Sequence, residues 1–315
     1  MHLMIPHAGS QDPHFEAALR ELELPALSRL LGLLAPLPDD VGGHAGDGDD
    51  QAPLTPHELY LARRRGIADD RPPIAAWQVR DAGQAPGDAA WALLTPVHFA
   101  VGTDGVTAMD PSTLDLTESE SRAFFDALTA SLFPAGEGWR GAWLSTAAWA
   151  VAHESLDGLE AASIDRVLNR GVETWMPQAR RLRTLLNEMQ MLLHDHPLNQ
   201  ARESRGLRPL NAVWISGCGR DRGTALPADL NVDERLRAPM LAGDLYAWSE
   251  AWKALDHGPV AQALRLAQDG APLALTLSGE RLARTWERRA PGGWQRLKER
   301  FAPTHVAVAT ALEAL

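Results

Sequence analysis

Between residues 13 and 34 apolar side chains recur at Phe15, Leu19, Leu22, Leu27, Leu30 and Leu31, which places them along one helical face interrupted at Pro25. Asp12-Pro13 opens the run with an N-cap and a residue whose φ is preset for the first helical position. The spacing returns at Leu182, Leu185, Leu186, Met189, Leu192 and Leu193, predicting an amphipathic helix over 176–194 in which Met189 and Met191 are packing residues. Two capping boxes, Thr55-Pro-His-Glu58 and Thr117-Glu-Ser-Glu120, predict helices running to Gly66 and to about Phe133. Shorter apolar runs predict strands at 2–5, 90–100 and 105–110, the last two joined by a Gly-Thr-Asp-Gly turn.

The stretch from Leu193 to Gly219 is the most sharply punctuated. A helix must stop before Pro197, because the residue preceding a proline is pushed out of the α region. Asn199 is then expected to cap a short helix through Arg205, with Gly206 ending it and 211–216 forming a buried strand. Gly217 and Gly219 are expected in a loop that turns sharply or lets something approach the backbone. Further on, strands are expected at 231–236 and 272–277, helices at 242–256 and 294–301, and a last apolar strand within 305–314. Residues 39–53 form a Gly/Asp-rich surface loop. Its carboxylates at 39, 40, 47, 49 and 50 lack EF-hand spacing. Residues 81–88 form another loop, and there is no internal repeat.

With 315 residues, 45% of them apolar, the chain can bury a large core as two domains or one domain with an insertion. No run approaches the roughly 18 apolar residues a membrane span needs. The start lacks the pattern of a signal peptide. Cys218 is the only cysteine, which excludes an internal disulfide and suits a reducing compartment, so a cytoplasmic location is expected. A net charge of −11 argues against nucleic acid as a partner. Local basic runs lie at 63–65, 180–183 and 281–300, the last interleaved with Glu287 and Glu299 as on a solvated helix face. Eleven tryptophans are scattered rather than grouped, which points to core packing.

The order His196-Pro-Leu-Asn199, Arg202, Gly206, Pro209, Asn211-Ala, Trp214 and Gly217-x-Gly219 resembles a segment of the cofactor-independent phosphoglycerate mutases of archaeal type, which belong to the alkaline phosphatase superfamily. The Leu24-Pro-Ala-Leu-Ser-Arg-Leu segment is similar to a pattern near that superfamily's amino terminus. The strand–turn–strand–helix block from Pro96 through the Thr117 helix is similar to the domain inserted into these mutases. Met1-His-Leu-x-Ile-Pro6, His153-Glu-Ser-Leu156, Asn187-Glu-x-Gln-Met-Leu-Leu193 and Ser216-Gly-Cys-Gly219 also resemble the proteobacterial regulatory proteins of RpfE type. The resemblance implies an α/β fold of alkaline phosphatase type with a mostly parallel central sheet. Residues 1–88 and 200–315 would build that core, and 89–199 an inserted α+β domain with its connecting helix. It also implies two metal ions, such as manganese or zinc, held by Asp and His at strand ends to activate a Ser or Thr nucleophile.

That ligand pattern is largely missing. Where the family's first strand runs into Asp-Gly, this chain has Pro6-His7-Ala8-Gly9-Ser10. His7 could bind a metal and Ser10 could act as nucleophile, although a strand-end loop explains both. After 273–277 only Glu280 could be a ligand, Asp256-His257 follows a helical run, and His305 stands beside an apolar run. Cys218 has no identifiable base, His194 and His196 diverge on a helix, His153-Glu154 precedes a turn, and no phosphate loop or zinc spacing occurs. The expectation is a non-catalytic protein without a cofactor, in a regulatory or binding role toward a protein partner or a small phosphorylated metabolite. The alternative is an active metal-dependent phosphotransferase with an altered site.

A small ligand would be expected at His196, Asn199, Arg202, Asn211, Gly217, Gly219 and Arg220, where a strand end and Gly-x-Gly would expose N–H groups. Arg202 and Arg220 would supply charge for an anion. The same residue types equally suit a helix–strand junction in which the asparagines cap local backbone and Arg202 pairs with a carboxylate.

Overall fold

Side chains alternate across β1 (His2–Ile5): Leu3 and Ile5 face one way, His2 and Met4 the other. In the computed structural model, which describes residues 1–38, 41–42, 52–103, 105–288, 306–313 and 315, this strand is central to the first of two compact units. That unit comprises Met1–Asp50, Thr55–Arg65 and Ala225–Leu315. β1 pairs in parallel with β9 (Leu230–Val232) and β10 (Ala274–Ser278). The connection from β9 to β10 is long enough for a crossover and carries α9 (Arg237–Leu241), α10 (Leu245–Leu255), a π-type turn over Asp256–Val260 and α11 (Ala261–Asp269). Only three residues separate β10 from β11 (Leu282–Arg288), so this pair is an antiparallel hairpin. β2 (Leu34–Pro36) and β3 (Val41–Gly42) pair antiparallel with β11. The sheet is therefore mixed, and the mostly parallel sheet expected from sequence is confined to the strands around β1.

Leu3, Ile5, Leu275, Leu277 and Trp286 pack with α1 (Pro13–Glu21), α2 (Pro25–Leu33), α10 and α11 in one apolar cluster. Leu312 of the terminal helix, which spans Val308–Glu313, joins the same cluster. The expected strand at 305–314 is thus a helix over Val308–Glu313. On the opposite face Met4, Val41 and Ala283 meet Tyr60 of α3 (Pro56–Arg64), the helix opened by the Thr55 capping box. A polar chain crosses this face: Tyr60 Oη lies 3.2 Å from His2 Nε2, His2 Nε2 lies 2.7 Å from Thr276 Oγ1, and Thr276 Oγ1 lies 2.8 Å from Thr285 Oγ1. The helix expected at 294–301, His305, and most of the loop at 39–53 lie outside the described residues.

The second unit comprises Gln51–Leu54 and Gly66–Thr224. Its long strand β4 (Ala90–Val101) pairs antiparallel with β5 (Val106–Met109), β7 (Ala148–Ala152) and β8 (Ala212–Arg220), and β6 (Arg140–Ser145) pairs with β7. Ala90, Ala92 and Leu94 face α5 (Glu118–Leu132) and α7 (Arg180–His194), while Trp91 and Leu93 face α4 (Ile74–Asp81). The short helices α6 (Ile164–Val167) and α8 (Pro197–Ser204) complete this unit, and the terminal helix of the first unit is α12. β1 and β8 were expected in one sheet, but they lie in different ones, and residues 66–88 and 200–224 fall in the second unit. The reason is that β8 runs alongside β4 from Ala212 to Arg220, burying Val213 and Ile215 against α7. The tryptophans do fill cores: Trp149, Trp214, Trp248 and Trp252 are fully buried. Among the described residues no helix is long and apolar enough to cross a membrane.

Candidate functional site

Pro197 takes the first position of α8, so its N-cap is His196 rather than Asn199. His196 Nδ1 accepts from Leu198 N at 3.2 Å, its ring lies 4.9 Å from that of Phe124, and burial lowers its pKa. Asn199 is buried one turn into the helix. Its Nδ2 donates to Leu193 O (2.8 Å) and Leu210 O (2.7 Å), and its Oδ1 accepts from Leu210 N (2.9 Å). It thereby ties the end of α7 to the entry of β8. Asn211 extends the strand pairing in the same way, accepting from Phe99 N (2.7 Å) and donating to Phe99 O (3.0 Å).

Arg202 is fully buried and donates to Arg208 O (3.0 Å), Glu120 Oε2 (2.9 Å) and Leu114 O. A guanidinium can be buried here because a carboxylate and two carbonyls receive it. Glu120 also takes Arg205 at 2.5 Å and closes the Thr117 capping box. Burial alone would raise the Glu120 pKa, but hydrogen bonds from the Thr117 backbone and Arg205, with the charge of Arg202, bring it below the ordinary value.

Gly217 and Gly219 lie inside β8 rather than in a loop. The register slips there, with Trp91 opposite Gly219 and Leu93 opposite Ser216, so Gly217 and Cys218 form a bulge. Gly217 has φ +64°, and a Cβ on it would stand 3.0 Å from Ala75 N. A Cβ on Gly219 would stand 3.0 Å from Pro73 Cβ. What approaches this backbone closely is the start of α4. Cys218 is buried and its thiol is pushed up to about 12 by burial, which makes it inert. Arg220 pairs with Asp157 at 2.7 Å and donates to Asp88 O. The structure thus gathers His196, Asn199, Arg202 and Asn211 at one end of β8 and places Gly217, Gly219 and Arg220 toward the other. Asn211 and Arg220 are separated by almost the full strand, roughly 30 Å, so one small ligand cannot touch both.

In the first unit the carboxyl ends of β1 and β10 lie side by side, Ile5 opposite Leu277. Beyond β1 the chain is pinned by Ala8 N to Ser278 O (2.7 Å) and by Trp248 Nε1 to His7 O (3.2 Å). Ser10 Oγ donates to Glu280 Oε2 at 3.1 Å, and Gln11 N donates to the same oxygen at 2.8 Å. Leu312 and Leu315 lie at these strand ends: Cβ atoms on Gly9 and Gly279 would come within 2.7 Å of Leu312 O and of Leu315 Cβ respectively, and Arg281 N and Leu282 N both donate to Leu315 O. After β9, Asp233 pairs with Arg235 at 2.7 Å. Asp256 is buried and accepts from Leu27 N (2.7 Å) and Ala26 N (3.1 Å), providing the cap that Leu24 cannot give α2. The Asp256-His257 pair is therefore a helix device, with His257 Nδ1 lying 2.7 Å from Lys253 O.

His7 and His57 are both buried, with ring centroids 4.9 Å apart and planes tilted by 56°. His7 sits at the end of β1 with φ +58°, a left-handed conformation uncommon outside glycine. His57 sits in the first turn of α3, where Thr55 Oγ1 is 3.3 Å from its Nε2 and donates to Glu58 Oε2 at 2.8 Å. Sequence reasoning singled out His7 but passed over His57, because Thr55-Pro-His-Glu58 is fully explained as a capping box. The described strand-end carboxylates are engaged in protein contacts and do not fit a pair of hard ions, which favour several carboxylate oxygens. What the strand end presents is imidazole.

No match was found among protein-family models or among curated proteins. Among solved structures, the chain is similar to the PH0037 protein from Pyrococcus horikoshii, with a TM-score of 0.51 and 12% identity over 98% of this chain and 91% of that one. It is also similar to the cofactor-independent phosphoglycerate mutase from Thermoplasma acidophilum DSM 1728, with a TM-score of 0.36 and 13% identity over 98% of this chain and 94% of that one. At 12% identity the likeness to the P. horikoshii protein is one of fold, a mixed α/β architecture shared along almost the whole of both chains.

Proposed function

We propose that this chain is a phosphoglycerate mutase-like protein that has kept the α/β frame without its hydrolytic centre, and that it works as a regulatory or binding protein. Its ligand would be a small phosphorylated metabolite or a protein partner, a role in keeping with the sequence resemblance to regulatory proteins of RpfE type. One observation carries this reading. At the ends of β1 and β10, Glu280 is bonded to Ser10 and Gln11, Leu312 lies against Gly9, and Leu315 lies against Gly9 and Gly279. Glu280 Oε2 is thus committed to two hydrogen bonds within the protein rather than to an ion that would activate Ser10 for attack on a phosphoryl group. The test is calorimetric titration with phosphoglycerate, with product assayed in the same cell. Saturable heat without product is expected, and product formation would overturn the reading.

A second reading, an active metal-dependent phosphotransferase with an altered site, is favoured by the His7–His57 pair. It requires phosphoryl transfer that a chelator abolishes.

A further inference from the structure

The sequence resemblance implies two ions held by Asp and His together, and the strand-end carboxylates of the first unit, engaged in protein contacts, do not supply that set. The donors found there instead are nitrogens. We propose that His7 and His57 hold a single borderline divalent ion of the zinc type, rather than a pair of hard ions. Three features support this assignment.

The first is proximity. Each histidine offers a ring nitrogen, and these nitrogens lie within 4.8 Å of one another. Two nitrogens bound to one zinc at about 2.1 Å stand roughly 3.4 Å apart in tetrahedral geometry, a gap that small ring rotations close. The second is the backbone of His7. Its φ of +58° is held by the hydrogen bonds from Trp248 to His7 O and from Ala8 to Ser278 O. An uncommon conformation fixed from both sides is what positions a side chain for a task.

The third is the tautomer of His57. Thr55 Oγ1 donates its proton to Glu58, so toward His57 it acts as an acceptor for Nε2–H. A metal-bound imidazole characteristically has its other nitrogen held in this way. Imidazole suits zinc, nickel, copper and iron, whereas manganese and magnesium prefer carboxylate and carbonyl oxygen. The remaining positions on the ion would be open to other donors or to an anionic ligand.

The experiment uses the full-length, tag-free chain after dialysis against a chelator. Zinc, manganese and cobalt are titrated alone, with calorimetry for affinity and the visible spectrum of cobalt for nitrogen ligation. One ion per chain is expected, with zinc bound at least about 100-fold more tightly than manganese. His7→Gln and His57→Gln should each weaken zinc at least about tenfold, and Thr55→Val by less, in keeping with a positioning role. His14→Gln, on an exposed turn of α1, should leave affinity unchanged, and circular dichroism checks that each variant is folded. Absence of stoichiometric zinc, equal affinity for manganese, or wild-type zinc affinity in both folded histidine variants would overturn the proposal. Mutase turnover is scored separately, so a silent enzyme that binds zinc and an active one that does not are told apart.

Discussion

A methyl group added at Gly217 would meet Ala75 N at 3.0 Å and Ile74 Cβ at 3.1 Å, in a backbone conformation that L-residues rarely adopt. Gly206 also has positive φ (+73°), but a Cβ there meets nothing within 4 Å. Gly217→Ala should therefore cost about 2–3 kcal/mol and Gly206→Ala about 1 kcal/mol, read from denaturant unfolding. Equal losses would show that contact with α4 contributes nothing. Between Gly217 and Gly219, the Cys218 thiol should resist alkylation in the native protein and react at once on unfolding, because burial holds it protonated up to about 12. Rapid modification of folded protein would contradict this placement. The Gly-x-Gly pattern correctly announced a close approach to the backbone. A missing Cβ is silent about what approaches, and here it is the chain's own helix rather than a ligand.

Local devices were legible at the scale of elements. The Thr55 and Thr117 capping boxes and Asp12-Pro13 each act within a few residues, and all three open the helices they predict. Asp256 acts over 230 residues when it caps Ala26, and no local pattern could reveal that. Asp256→Ala should destabilise the protein by about 1–2 kcal/mol through loss of this cap, while His257→Ala should change thermal stability little. Equal effects would contradict the assignment of the cap to Asp256 alone. The joint between α3 and the sheet makes a pH prediction. The His2 pKa is lowered from 6.5 to about 4, first by burial and then by the charge of Arg64. Between these values the unfolded chain takes up a proton that the folded chain refuses. Stability should therefore be complete above about pH 6.5 and fall as pH drops toward 4, by up to about 3 kcal/mol. His2→Gln should flatten this part of the melting temperature profile, and an unchanged slope would refute the assignment.

Strand partners at the scale of the whole molecule were the least legible feature. The apolar run at 211–216 alternates as a strand of either sheet would, and only the long register with β4 decides that β8 belongs with the second unit. The hairpin between β10 and β11 likewise follows from a three-residue connection whose flanking strands had first to be recognised. The α/β class was implied by the family resemblance that residues 196–219 carry rather than by periodicity. The strand ends around His7, Ser10 and Glu280 decide between a binding protein and an enzyme. The most direct measurement is phosphoglycerate mutase turnover by the purified full-length chain, loaded in turn with manganese and zinc and repeated with chelator. No turnover above the uncatalysed rate is expected under any of these conditions; metal-dependent turnover abolished by chelator would contradict the proposed loss of the hydrolytic centre.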